Sequence, residues 1–239
     1  QKIASFLSVV DSYIENLKQQ KEALEKYKTG MMQKIFSKQI RFKPVRRSED
    51  EGGDENGKEF PEWEEKRLGN IATITKGKGI SKEDIRIDGV NKCIRYGELY
   101  TQYKEIIDEV YSKTDVKKEF SILSQGNEIL MPTSDVTPSG LATASALGEK
   151  DIILGGDILI IRSSQLNNAF FSYYIRANRN KIMKLVSGVT VYHIYGSDLS
   201  KMKIEIPTNE EQGLIAQFLS LQDILIEAKQ QQIEKAEQW

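Results

Sequence analysis

The 239-residue chain has one cysteine, one histidine, five prolines and no long apolar run, and each shortage excludes something. With Cys93 alone no internal disulfide can form, and the residue reads as a semi-buried thiol of a reducing cytoplasm. A metal site would have to combine His193 and Cys93 with carboxylates that show no ligand-like spacing, so none is expected. No stretch approaches the 18 apolar residues of a membrane span, and the opening residues do not read as a signal peptide. The chain has no GxxxxGK[ST] loop, no GxGxxG opening a helix, no nucleophile elbow and no NPP[YF] tetrapeptide of an amino-methyltransferase. The glycines of KGKGIS (76–81) are loop glycines on this reading. No cofactor and no catalytic activity of the chain's own are expected.

What the chain does have is a repeat. Residues 3–27 align without gaps, at an offset of 212, with residues 215–239, and twelve of the 25 positions are identical. Apolar residues in the first copy and its continuation keep a 3-4 spacing: Ile3, Leu7, Val10, Ile14, Leu17, Leu24, Met31 and Ile35, interrupted by Lys21 and Lys28. Such a seam predicts a coiled-coil helix about 36 residues long, a rod on the order of 54 Å. The closing helix keeps the seam with Ile215, Leu219, Ile226, Ile233 and Ala236, with Gln222 and Lys229 at two seam positions.

Net charge is −1, but its distribution is uneven. Residues 1–47 carry +7, 48–60 carry −5, 61–208 carry +1 and 209–239 carry −4. A basic first helix and an acidic last one suit side-by-side packing. Because the first runs toward the middle of the chain and the last runs away from it, the pair must be antiparallel, with a globular domain at one tip of the rod. The near-neutral middle lacks the bulk charge of a non-specific nucleic-acid binder.

The expected organisation is therefore a helix at 1–40, a charged linker at 41–60, a globular domain at 61–208 and a distal helix at 209–239. SEDEGGDENGK (48–58) has too little apolar content to order itself. In the domain, strands are predicted at 71–75, 128–132, 151–156, 157–162 and 203–207, and one helical run at 168–186. The predicted fold class is α+β: one mixed domain plus two long antiparallel coiled-coil helices. LMPTSDVTPSG (130–140), IIRSSQ (160–165) and SGVTVYHIYG (187–196) follow apolar segments and are rich in hydroxyls and aromatics. Such loops can offer donors and acceptors to base edges and phosphates. Ser and Thr also fill turns, and Tyr192 and Tyr195 also pack, so residue types alone leave both readings open.

PEWEEKRLGNIATITKGKGI (61–80), GNEIL (126–130), GGDILIIR (155–162) and SGVTVYHIYGSDLSKMKIEIPTNEEQGLIAQFL (187–219) occur in that order inside the repeated helix. Together they resemble the DNA-specificity subunit of type I restriction–modification systems, with Glu128 standing where the first Gly-Asp-Ile-Leu segment of that pattern has aspartate. The resemblance implies a non-catalytic subunit that binds double-stranded DNA and recruits adenine-modifying subunits, and through them the restriction subunit. Members of the family carry two target-recognition domains on an antiparallel helix pair, each reading one half of a split site. With one such domain, this chain resembles a half-subunit, expected to form a homodimer or to pair with another half.

The family assigns no base-reading residue, so candidates rest on loop chemistry. Lys76, Lys78 and Arg162 are assigned to phosphate or guanine. Ser134, Thr137, Ser139, Ser163, Ser187, Thr190, Tyr192 and His193 are assigned to base edges and backbone. Two other classes compete: a coiled-coil interaction protein whose globular head binds another protein, and an enzyme such as a nuclease.

Overall fold

The computed structural model describes residues 2–44 and 59–238, and for residues 2–5 the backbone only. The linker at 48–58 lies outside the described residues. The chain is α+β and divides into two compact units, one from the two chain ends (to Arg41 and from Gln217), the other from Phe42 to Ala216.

In the first unit, α1 (Lys2–Phe36) pairs with the greater part of α7 (Asn209–Glu237). Lys18 Nζ lies 2.7 Å from a Glu237 oxygen and Lys28 Nζ 2.6 Å from Asp223 Oδ1, so residue numbers rise along one helix as they fall along the other. The pair is antiparallel. Burial follows the expected seam at Leu17, Lys28 and Ile35 on α1 and at Leu219, Ile226 and Ile233 on α7, but Met32 is buried in place of Met31, and Leu7 is exposed. The exception is Lys28, a lysine in an apolar seam, whose Nζ meets Asp223. α1 ends where Lys38 takes a left-handed φ of +64° and the amides of Gln39 and Ile40 turn back to the Lys34 carbonyl.

The second unit is built on two larger sheets. One has five strands, in the order β2 (Thr73–Lys76), β11 (Ile158–Arg162), β7 (Glu128–Pro132), β9 (Ser145–Leu147) and β4 (Ile106–Ile107). The other has four: β5 (Lys113–Thr114), β3 (Asn91–Ile94), β10 (Lys150–Leu154) and β6 (Leu123–Gln125). A buried cluster draws Leu130, Ile158 and Ile160 from the first and Ile94, Ile152 and Leu154 from the second. A short pair joins the two ends of the domain, β1 (Glu64–Arg67) against β13 (Lys203–Ile206). A ribbon joins β8 (Ser134–Asp135) to β12 (Tyr192–His193). Three single helical turns punctuate the strands: α2 (Leu68–Ile71), α3 (Glu98–Thr101) and α6 (Gly196–Leu199).

Two sequence expectations shift. The strand expected at 71–75 begins at Thr73, because Leu68 and Gly69 donate to the Met202 and Ser200 carbonyls and the chain makes one helical turn first. The single run expected at 168–186 breaks into α4 (Asn168–Ala177) and α5 (Arg179–Met183). At the break, both the backbone amide and the side-chain amide of Asn178 donate to Tyr174 O. Every residue of α4 from Phe170 to Ile175 is buried.

Glu128 opens β7 without exposure to solvent, and it accepts from the backbone amides of Gln125, Gly126 and Asn127. Arg162, at the end of the neighbouring β11, completes its charge: Nε donates to Oε1 at 3.0 Å, and Nη2 donates to Leu123 O at 3.2 Å. Arg162→Ala leaves that carboxylate buried without its cation, a loss on the order of 3 kcal/mol. A thermal melt of the variant should show a midpoint lower by several degrees. In the helix pair, Lys28→Met alone should destabilise by roughly 2 kcal/mol, whereas Lys28→Met with Asp223→Leu should restore or exceed the original stability. Helix melting followed at 222 nm checks both.

Candidate nucleic-acid interface

The turn after β10 gathers the candidate residues. Lys76 Nζ lies 2.9 Å from Asp157 Oδ1, and Thr133 donates to the same residue through its amide (2.9 Å) and its hydroxyl (3.3 Å). Ile194 N donates to Thr133 O, which ties the end of β12 to the end of β7. Next door, Lys78 N donates to Leu154 O, and Gly156 N donates to Gly79 O. The end of β2 and the turn after it thus carry Lys76 and Lys78 at the same end of the sheet.

The ribbon grows from this base. Tyr192 pairs with Asp135 and His193 with Ser134, while Ser187 and His193 exchange amide hydrogen bonds of 3.0 and 2.7 Å. The five residues between Ser187 and His193 close a tight loop. Gly188 makes it possible: its φ is +116°, and a Cβ there would stand 2.1 Å from Val191 O. On the other strand Asp135 is buried, and the Thr137 hydroxyl donates to its Oδ2 at 2.8 Å. Gly140 makes room for that carboxylate, since a Cβ would come within 1.7 Å of it. Ser139 sits exposed in the 3-10 turn Pro138–Ala142, and Thr190 sits exposed in the loop. The half-buried His193 ring stacks on exposed Tyr195 at 6.2 Å between centroids.

Nine of the eleven candidates therefore meet at one end of the domain: Lys76, Lys78, Ser134, Thr137, Ser139, Ser187, Thr190, Tyr192 and His193. Arg162 and Ser163 do not join them. In the β11:β2 register Lys76 faces Leu159, whereas Arg162 faces Thr73, three residues and roughly 10 Å away along the strand. At that far end the Arg162 guanidinium is held by Glu128, and the Ser163 hydroxyl donates to Ile71 O at 2.6 Å and accepts from Gln165 N at 3.0 Å.

Sequence reasoning passed over three basic residues. Arg179, Lys181 and Lys184 are exposed on and just after α5, which packs on the 3-10 turn carrying Ser139. They belong to a run of 40 residues, 158–197, with five basic groups and no acidic one. A local charge window would have found them; the balance of the whole domain hides them. Two tyrosines of the α3 region meet, and one of them lies close to the ribbon's Asp135. Tyr96 and Tyr100 stand 6.3 Å apart, and burial, then the Asp135 carboxylate, push the Tyr100 phenol above its usual range. The pocket lined by Glu62, Lys66, Gln165, Pro207, Asn209 and Gln212, about 250 Å³, contains none of the candidates.

A polar ribbon on a two-sheet domain, with basic side chains beside it, can meet a polyanion with donors and acceptors at its centre and cations at its border. Known proteins point the same way. A family model for the type I restriction modification DNA specificity domain matches residues 61–238. The MjaVIII and MjaIX type I restriction enzyme specificity subunits of Methanocaldococcus jannaschii are 28% and 29% identical, over 98% and 95% of this chain. Those alignments take in 56% and 52% of the relatives, so the chain spans about half their length. The HsdS subunit from Thermoanaerobacter tengcongensis superposes with a TM-score of 0.55 at 14% identity, over 95% of this chain and 52% of that one. A chain solved in work on complex assembly and conformational transition of the type I R-M system superposes at 0.61 and 15%, over 99% and 55%. At those identities the likeness is one of fold, and the family rests on the domain match: the chain belongs to the type I restriction–modification DNA specificity family.

Proposed function

We propose that this chain is a half-subunit that reads one half of a bipartite double-stranded DNA target and recruits modification subunits, and through them the restriction subunit, without being catalytic itself. The observation that carries the reading is the ribbon: nine polar or basic candidates gathered around β8 and β12, beside Arg179, Lys181 and Lys184. The names of its relatives, specificity subunits of type I restriction enzymes, support the same reading.

Pairing with a second copy is supported by comparing the two halves of the repeat. Leu219 is fully buried, but its counterpart Leu7 is 53% exposed. Asp223 is paired with Lys28, and its counterpart Asp11 lies exposed. A second helix pair laid on α1 would cover Leu7 as Leu219 is already covered. Two copies related by a two-fold axis would impose a palindromic split target.

Selection from a randomised duplex should enrich such a split motif, and binding should weaken steeply with salt. Arg179→Ala, Lys181→Ala and Lys184→Ala should each lower affinity for all sequences alike and reduce the salt slope by about one. An affinity indifferent to salt, with no motif enriched, would favour the alternative of a coiled-coil protein whose head binds another protein. Light scattering at micromolar concentration should give twice the 27.2 kDa of one chain. A clean monomer removes the pairing.

A further inference from the structure

The ribbon that carries the polar candidates ends in three valines with no core to join. Val136 is 72% exposed, Val189 88% and Val191 43%. One residue beyond the Asp135–Tyr192 pair, the same antiparallel register sets Val136 opposite Val191, and facing residues of such a pair share a face. Val189 sits two positions on, in the loop that Gly188 closes. Branched aliphatic side chains left exposed at the tip of a two-stranded ribbon are costly in water.

The surroundings decide what covers them. The acidic groups on the ribbon and at its base are both engaged: Asp135 is buried and takes the Thr137 hydroxyl, and Asp157 is paired with Lys76. Arg179, Lys181 and Lys184 lie on or beside α5, which packs on the turn that follows β8. No acidic residue occurs between 158 and 197. An apolar tip with a basic border and no unpaired carboxylate in those segments complements a polyanion that carries apolar studs. The major groove of DNA admits a two-stranded ribbon and presents one such stud, the thymine C5-methyl, which aliphatic side chains contact directly. The minor groove offers no methyl group to read.

Resting on the DNA-recognition reading above, we propose that Val136, Val191 and Val189 are specificity-determining residues that read thymine by its C5-methyl group, so that the half-site contains at least one thymine set by apolar contact. Ser134, Ser139 and Thr190, on the same ribbon and its turns, then supply hydrogen bonds to neighbouring base edges.

The test uses the full chain and the duplex obtained by selection. Each thymine of the half-site is replaced in turn by deoxyuridine, which removes only the methyl. The expected result is a loss of about three- to fivefold in affinity at one or more positions, the size expected for burying one methyl. Val136→Ala with Val191→Ala should bind the thymine duplex more weakly and lose the difference between thymine and uracil at that position. Being exposed, both sites should accept alanine without change in the far-ultraviolet circular dichroism spectrum. Equal affinity for thymine and uracil at every position overturns the proposal while leaving DNA recognition intact, as does a variant that keeps the full discrimination. Failure to select any duplex removes DNA recognition and this proposal together.

Discussion

One side-chain amide holds the recognition unit in register with itself. Gln212, fully buried in the first turns of α7, donates through Nε2 to the carbonyls of Gln165 and Pro207 and accepts the Asn167 amide on Oε1. Each contact lands on a different part of the chain: the loop after β11, the end of β13 and the entrance to α4. Asn167 is itself the cap of α4, its Oδ1 accepting from Phe170 N at 3.0 Å. The amide therefore fixes the start of the helix whose buried Phe170 to Ile175 stretch packs against β7 and β9. Three charge-free hydrogen bonds in a buried site also leave no polar atom of that amide unsatisfied, the condition under which a buried network stabilises rather than strains. Thr208 prepares the same helix start, its hydroxyl accepting from Glu211 N with Glu210 and Glu211 in the first turn.

A second constraint explains how a domain of almost no net charge can carry a basic segment. Four of its acidic groups lie inside, whereas among the described residues none of its lysines or arginines is fully buried. Glu98, Glu105, Glu128 and Asp135 are all buried, and each is engaged: Glu98 by Arg95 and the Ser112 hydroxyl, Glu105 by Arg176, Glu128 by Arg162 and Asp135 by Thr137. These pairs are poor contributors to net stability compared with apolar packing, yet breaking one leaves a charge in the core. Their effect on the surface is indirect. Carboxylates turned inward cannot offset Lys78, Arg179, Lys181 and Lys184, which remain exposed.

This separation also sets what was legible in the sequence. The helix seam was, because Leu17, Ile35, Leu219, Ile226 and Ile233 repeat over many turns and a long period averages out local exceptions. So were β7, β11 and β13, whose apolar runs are bounded by Gly, Pro or charge. The ribbon was not, because strands of two residues, Ser134–Asp135 and Tyr192–His193, carry no period and are defined only by a partner 58 positions away. Its residues were reached through their chemistry instead. Arg162 illustrates the opposite failing: a lone arginine after an apolar strand looks available, and only the structure brings it to Glu128, 34 residues earlier. Arg179, Lys181 and Lys184 were missed because a charge balance over 148 residues cancels a run of 40.

The ribbon itself divides into positions that hold its shape and positions that hold nothing. Asp135, Thr137 and Gly140 lock one turn, and Gly188 with the Ser187–His193 exchange locks the other. Any side chain at 140 or 188 collides, and loss of Asp135 unties the turn. By contrast, Val136, Ser139, Val189 and Thr190 are exposed at the ends they decorate. A frame anchored by backbone and buried groups can exchange such tips at little cost to stability, since surface substitutions of this kind stay near ±0.5 kcal/mol. A recognition surface on this frame can therefore change what it reads without changing how it folds, and the positions where that freedom ends are the two glycines and the buried aspartate.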